Sequence, residues 1–395
     1  MVSSISNSRA SGAVLTGALA CVLSSGASAD PLRLRADAFT TADSPTGLLS
    51  LSGRDRMEPW LDAEAEVWMG AGDGTNADVL VMVVQARDPK GRGAVRIGRQ
   101  IVMMGALRPV HVDGVAGRVR APGGIAVDVF GGSPVEPETA PHAWAWLVGS
   151  RLSRAIGPVR IGLSALEWRE HGDNATREVG ADANVEITKQ LDATGAVALD
   201  TISFGVAEAR VSAIWRRKDL ALELFGVDRS AAHLLPATSL FSVLGDVAAF
   251  RTGAGARWRA APRLDVNATA GARIVDGEVA EDLSANTRLR LDDAGLSSIG
   301  FELTRQGGAG SAWTGARTTG RYAICHDWIA ALEAELVRPD ANTGRGTLWP
   351  WGLAALTWRP NRDWDAAMAV EASASPEYRA RVDVIARLSR RWEGL

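Results

Sequence analysis

The sequence predicts an all-β protein: a closed antiparallel transmembrane β-barrel of about 18 to 22 strands. Three observations predict it. From about residue 30 to the end, the chain breaks into segments of about 8 to 14 residues that alternate apolar and polar side chains, the period of an extended strand. Clusters rich in Gly, Pro, Asp and Asn separate the segments, as hairpin turns require. Many tryptophans fall near segment ends, among them Trp60, Trp68, Trp144, Trp146, Trp168, Trp258, Trp313, Trp328, Trp349, Trp351, Trp358 and Trp392, and read as aromatic girdles at the two edges of a membrane.

The amino terminus reads differently from the rest. Arg9 stands in a short polar start, an apolar run covers Ala13 to Leu23, and Ala27-Ser28-Ala29 precedes Asp30. This is the pattern of a secretory leader with cleavage expected after Ala29. The apolar run falls short of the roughly 20 residues a spanning helix needs. Cys21 follows Ala18-Leu19-Ala20, a poor setting for lipid attachment. The expected organisation is a leader over 1–29 and one barrel over 30–395. Cleavage would leave Cys325 as the sole cysteine and exclude an intrachain disulfide, which fits an exported protein without covalent staples.

The strand segments follow in order. Leu61 to Met69 alternates Leu, Ala, Ala, Val and Met against Asp62, Glu64, Glu66 and Trp68. Val95 to Met103 alternates as well, but Arg99 interrupts its apolar face. A guanidinium at the membrane midplane on a lipid face costs roughly 2 to 4 kcal/mol, against about 0 to 1 near the headgroups. We therefore expect a bulge at Gly98, or an Arg99 close to an interface with its stem snorkelling to water or its fork meeting Asp113 on the neighbouring strand. Val179 to Ile187 and Leu283 to Leu291 repeat the alternation, and Arg263 to Val275 carries it without an error. The last strand reads from Tyr378, with Ala380, Val382, Val384, Ala386 and Leu388 in phase with Trp392, although Arg390 spoils that series. No sustained helical period appears. The one long stretch without alternation, Ser230 to Gly245, is read as a constriction loop folded into the barrel or as an outer loop; its apolar Leu234, Leu235, Leu240 and Phe241 need a surface to pack on.

Alternation alone also suits a soluble secreted β protein. A propeller should show a repeat of about 40 to 50 residues, and none is found. The apolar faces are built mostly from Ala, Val and Leu, whereas a large sandwich core wants bulkier residues. Closure also removes exposed strand edges.

If the polar face lines a lumen, its charges become candidate pore-lining groups. The basic candidates are Arg96, Arg273, Arg288, Arg290, Arg379, Arg381 and Arg387. The acidic ones are Glu64, Asp182, Asp265, Glu333 and Glu335. Opposed ladders of such groups would set up a field across the pore and select polar or charged solutes. Mutual pairing that merely fills the interior is the alternative.

Other chemistries lack support. His111, His142, His171, His233 and His326 lie on no hydrolase or metalloprotease motif, so neither catalytic residues nor a metal site is expected. His326 in Cys325-His326-Asp327-Trp328 reads as a solvated turn residue. No Gly-rich segment links a strand to a helix, so no nucleotide cofactor is expected. A net charge of −3 excludes a basic nucleic-acid footprint.

One pair of segments carries a family resemblance. Val95-Arg96-Ile97-Gly98-Arg99-Gln100, followed by Val112-Asp113-Gly114-Val115, resembles the Gly-Arg-Gln and Asp-Gly signatures of porin-like outer-membrane barrels, including alginate-export-type channels. The match spans about 25 of 395 residues. It implies a water-filled barrel in the lipid of a bacterial outer membrane, inserted by the barrel assembly machinery and passing small polar or charged solutes by diffusion. A non-conducting barrel that scaffolds envelope partners is the alternative. The resemblance leaves the oligomeric state open.

Overall fold

A computed structural model describes residues 30–41, 47–71, 75–135, 144–230, 249–275, 277–308, 312–340, 348–374 and 380–393. The leader expected over 1–29, the segment carrying Leu234, Leu235, Leu240 and Phe241, and Arg379 lie outside them.

The described residues form 22 strands in one antiparallel sheet. They begin with β1 (Asp30–Thr41), β2 (Gly47–Glu58), β3 (Leu61–Ala71), β4 (Thr75–Arg87), β5 (Gly93–Val102), β6 (Val110–Arg120) and β7 (Ile125–Pro134). The middle of the chain supplies β8 (Ala145–Ile156), β9 (Val159–Glu170), β10 (Asp173–Thr188), β11 (Leu191–Asp200), β12 (Gly205–Arg217), β13 (Leu220–Arg229), β14 (Ala249–Ala261) and β15 (Leu264–Val275). The rest are β16 (Glu278–Arg290), β17 (Ser298–Gln306), β18 (Trp313–Ala323), β19 (Trp328–Pro339), β20 (Trp349–Trp358), β21 (Trp364–Ser373) and β22 (Arg381–Glu393). Each strand pairs with its sequence neighbour, and β1 pairs with β22, so the sheet closes on itself. The strand number stands at the upper end of the range expected from alternation.

Closure gives the sheet a concave and a convex face, and the period of two sorts side chains between them. Val83, Gln100, Val112, Phe130, Leu147, Leu166 and Glu178 are buried and share the inner face through the continuous strand register. Ile97, Val115, Leu163, Val211, Leu224, Val279, Leu332, Met368 and Val382 are exposed on the outer face. A sheet that turns apolar side chains outward and charged ones inward suits lipid outside and water inside.

The two rims differ. Even-numbered strands lead into short turns, such as Gly157-Pro158 between β8 and β9, at the rim where β1 begins and β22 ends. Odd-numbered strands lead into connections at the opposite rim, including that from Arg229 to Ala249. At the short-turn rim Trp215, Trp258, Trp328, Trp358, Trp364 and Trp392 all point outward by strand register. Trp328 and Trp358 pack with ring centroids 6.2 Å apart. The Arg390 guanidinium lies 4.7 Å from the rings of both Trp364 and Trp392. The arginine that interrupts the last strand's apolar series is thus held between two indoles as a cation–π contact.

The expectation of two girdles needs correction. Trp68, Trp168, Trp313, Trp349 and Trp351 face inward by register. At the rim with the longer connections the outward face carries Trp146 together with charge clusters. Arg99 donates to both carboxylate oxygens of Asp113 at 2.8 Å, to Asp78 at 2.8 Å and to the Val79 carbonyl at 2.9 Å. Arg305 donates to Glu281 at 3.0 Å and to both oxygens of Asp340 at 2.6 Å. Arg169 bonds Glu167 and lies 5.7 Å from the Trp146 ring.

Gly98 does not bulge: the pairing of β5 with β4 and β6 runs through it without a shift. Its φ of 125° and the Met82 carbonyl directly above it leave no room for a Cβ. Arg99 sits three residues from the end of β5, near the rim. It keeps to the outward face, and paired carboxylates rather than a broken register relieve the cost.

Candidate functional site

The site is the lumen wall together with one connection that folds into it. Between β5 and β6, residues 103–109 do not project from the rim. Met104, Ala106, Leu107 and Arg108 are each at most 9 % exposed, because they pack on the inner wall with Val102, Val110, Val112, Phe130, Leu147 and Leu166. Fully burying apolar side chains of this size contributes roughly 1.5 to 3 kcal/mol apiece, so the turn is held down by its own Leu and Met. The Leu107 amide donates to the Met104 carbonyl at 3.1 Å and tightens the bend. Gly105 takes φ 59°, and a side chain there would collide with Arg151 and Asp182.

Polar contacts then tie the turn to strands far along the sheet. Arg108 donates through Nε at 2.7 Å and through Nη2 to Glu178 of β10, whose side chain is fully buried. Arg210 of β12 donates to the Gly105 carbonyl at 3.1 Å. Gln100 and Val112, at 0 % exposure, lie beneath this lid. Opposite charges satisfy the bond in a dry setting, where one alone would be costly. The turn therefore covers the inner wall from β5 round to β12 and narrows the lumen on that side.

This element is not the expected one, since Leu234, Leu235, Leu240 and Phe241 belong to the segment outside the described residues. The sequence signal that could have pointed to 103–109 is weak: Met104, Leu107 and Val110 are apolar residues in a connection, with Gly105 and Pro109 beside them.

Among the described residues the predicted lumen charges fall on the inward face, and most are paired; Arg379 lies outside them. Asp182 accepts from Arg151 at 3.0 and 2.5 Å, and Arg151 approaches Asp128 at 4.0 Å. Asp128 in turn accepts from Arg118, which makes an alternating ladder across β6 to β10. Glu64 accepts from Arg54 at 2.8 Å. Arg381 meets Asp383 at 2.8 Å, and Arg387 meets Asp365 at 2.6 Å. Arg290 donates to the Pro262 carbonyl at 2.9 Å and lies 3.5 Å from Asp265, which Arg259 also approaches at 3.4 Å.

Glu333 accepts from Arg317, and Arg317 lies 5.7 Å from the Trp351 ring while Trp351 donates to Glu371 at 2.7 Å. Glu335 stands in register between Arg317 and Trp351 on the same wall. Arg96, Arg273 and Arg288 also face inward; among the described residues none of the three forms an ion pair. Trp351 and Trp349, which position in the sequence assigns to a girdle, face the lumen instead, and Arg151 and Glu178 join the inward face without being among the sequence candidates.

Among the described residues no cluster of His, Cys, Asp and Glu could hold a metal ion. Among the described residues His326 pairs with the neighbouring Asp327, at 3.2 Å, and is exposed.

The fold is that of the large antiparallel barrels of bacterial outer membranes. No protein-family model matches the sequence, and no curated protein does. Among solved structures, the siderophore receptor PirA from Pseudomonas aeruginosa matches with TM-score 0.61 and 11 % identity over 93 % of this chain and 81 % of that one. The ferric-catecholate import receptor Fiu from E. coli K12 matches with TM-score 0.57 and 10 % identity over 92 % and 81 %. The translocation pore of the P pilus usher PapC matches with TM-score 0.51 and 10 % identity over 91 % and 98 %.

Proposed function

We propose that the protein is an outer-membrane channel through which small polar or charged solutes diffuse passively, with its lumen narrowed by the inward turn 103–109. The observation that carries this reading is the combination of a charge-lined inner wall with a connection folded onto it and latched by Arg108 and Glu178. Aromatic residues at the short-turn rim and guanidinium–carboxylate clusters at the other suit the two faces of an outer membrane, with the short turns toward the periplasm. The chain would be exported by its leader, which amino-terminal sequencing of the mature protein checks by starting at Asp30. The barrel assembly machinery would insert it.

The purified barrel in a planar bilayer should show discrete conductance steps in potassium chloride. In cells it should fractionate with the outer membrane and migrate faster on a gel when unboiled. A freely soluble periplasmic product would overturn the membrane reading. A second reading, a closed barrel that scaffolds envelope partners, is favoured by the dense pairing of Arg118, Asp128, Arg151 and Asp182. Correct insertion without conductance would decide for it.

A further inference from the structure

We propose that Arg273 and Arg251 form a subsite on the lumen wall for an oxyanion, the carboxylate or phosphate group of a solute in transit. The subsite deepens the channel reading and rests on it. Arg251 of β14 and Arg273 of β15 stand directly opposite each other in the sheet register. Both face inward, since Arg273 shares its face with buried Ala280 and Arg251 pairs with Val227, which in turn pairs with Arg210. Like charges directly across an antiparallel pair destabilise it.

The two guanidinium groups are not equivalent. Arg251 reaches over β15 to Asp282 of β16 at 2.7 Å, and its guanidinium lies 5.6 Å from the Phe225 ring. The lane is open because Gly271, in register with Asp282, has no side chain. Asp282 and Phe225 therefore hold Arg251 in place. Arg273 has no such anchor: among the described residues it forms no ion pair and donates no hydrogen bond. Beside the pair, Gly253 stands opposite Gly271, and neither contributes a side chain to the wall. A Cβ on Gly253 would meet the Ala270 carbonyl oxygen at 2.5 Å and the Phe225 ring at 2.9 Å. Arg273 and Arg251 thus stand side by side in register on the inward face, next to two positions, Gly253 and Gly271, that contribute no side chain of their own.

A guanidinium presents a planar fork that matches carboxylate and phosphate oxygens. An oxyanion seated between Arg273 and Arg251 would accept from the first and screen its repulsion from the second. Asp282 offsets the charge of Arg251, whereas among the described residues no carboxylate pairs with Arg273. Because Asp282 is engaged by Arg251, its charge is locally balanced.

The test uses the full barrel with inorganic phosphate and acetate as separate probes. In a planar bilayer, millimolar phosphate or acetate should reduce the chloride current, and Arg273→Gln should raise the half-blocking concentration about tenfold, the loss expected for one charge-assisted contact. Calorimetric titration of the detergent-solubilised barrel provides a readout that does not need conduction, with the same tenfold weakening expected. Arg273→Gln breaks no contact, so it should fold, and its unfolding temperature without anion should rise. Block by one probe alone assigns the subsite to that oxyanion. Unchanged half-block and binding constants in Arg273→Gln, or no effect of either probe on wild type, would overturn the subsite while conductance still stood. Phosphate binding without any conductance would instead sink the channel reading and uphold the subsite.

Discussion

Arg99 and Asp113 face each other across β5 and β6 and form a two-pronged pair on the outward face of the barrel, both bonds at 2.8 Å. Asp78 adds a third carboxylate contact. The arrangement keeps a guanidinium tolerable three residues from a strand end, where depth-dependent costs are small.

Replacing Arg99 by Leu should destabilise the barrel although it adds apolar surface, because Asp113 and Asp78 lose their counter-charge. We expect a loss of about 1 to 3 kcal/mol, and partial recovery in Arg99→Leu/Asp113→Leu, since removing both partners is milder than orphaning one. A double-mutant cycle on urea unfolding in micelles measures the coupling. Additive single effects would show that the pair is incidental.

The latch of the inward turn should behave asymmetrically in stability and conductance. Arg108→Ala leaves Glu178 buried without its main partner, a change that costs roughly 3 to 5 kcal/mol if the turn stays down. Lifting the turn relieves that cost. The variant should therefore show larger or noisier single-channel steps than wild type. Identical conductance with an unchanged unfolding midpoint would mean that the turn does not depend on this pair.

The split between outward and inward tryptophans can be read by quenching. Brominated lipid should quench Trp215, Trp258, Trp328, Trp358, Trp364 and Trp392, whereas aqueous iodide should reach lumen residues such as Trp351. Trp351→Phe should remove part of the iodide-sensitive emission and none of the lipid-sensitive part. If brominated lipid quenched Trp351 as well, the assignment of faces would fail.

Asp340, just past the end of β19, is held below the usual carboxylate range by its hydrogen bonds from Arg305. A depressed carboxylate stabilises the folded state above its ordinary pKa, and that stabilisation is lost as pH falls through the depressed value. Carboxylate-selective infrared or NMR titration should find Asp340 among the last to protonate, and Arg305→Gln should return it to the ordinary range. An Asp340 that titrates normally in the wild type would contradict the pairing.

The strands were legible in the sequence because alternation is a local property. Arg263 to Val275 and Leu61 to Met69 correspond to β15 and β3 nearly to the residue. The final strand, read from Tyr378, corresponds to β22 from Arg381 to Glu393, and Tyr378 itself lies outside the described residues. The inward turn was not legible. Its burial depends on Glu178, Arg210, Phe130 and Leu166, which lie on other strands and reach it only once the sheet has curved. The same cause misplaced Trp68 and Trp351: position near a segment end gives depth, and only register gives the face. Arg390 interrupts the apolar series of the last strand in the linear sequence, and Trp364, which accommodates it, comes beside it only through the pairing of β21 with β22.

The bond between β1 and β22 gives the ring a seam rather than a beginning. Ser389 donates to Asp37, residues 352 positions apart, while most other strand pairs join chain neighbours. Nearly all contacts can therefore zip up locally, and one late clasp completes the circle after the largest loop-closure entropy has been overcome. The two strands of the clasp pair along their length, and the start of β1 and the end of β22 lie together at the short-turn rim. A chain joined there and reopened between Gly157 and Pro158 would retain every pairing but move the slow step, so the site of final closure would become a matter of where the polypeptide is cut.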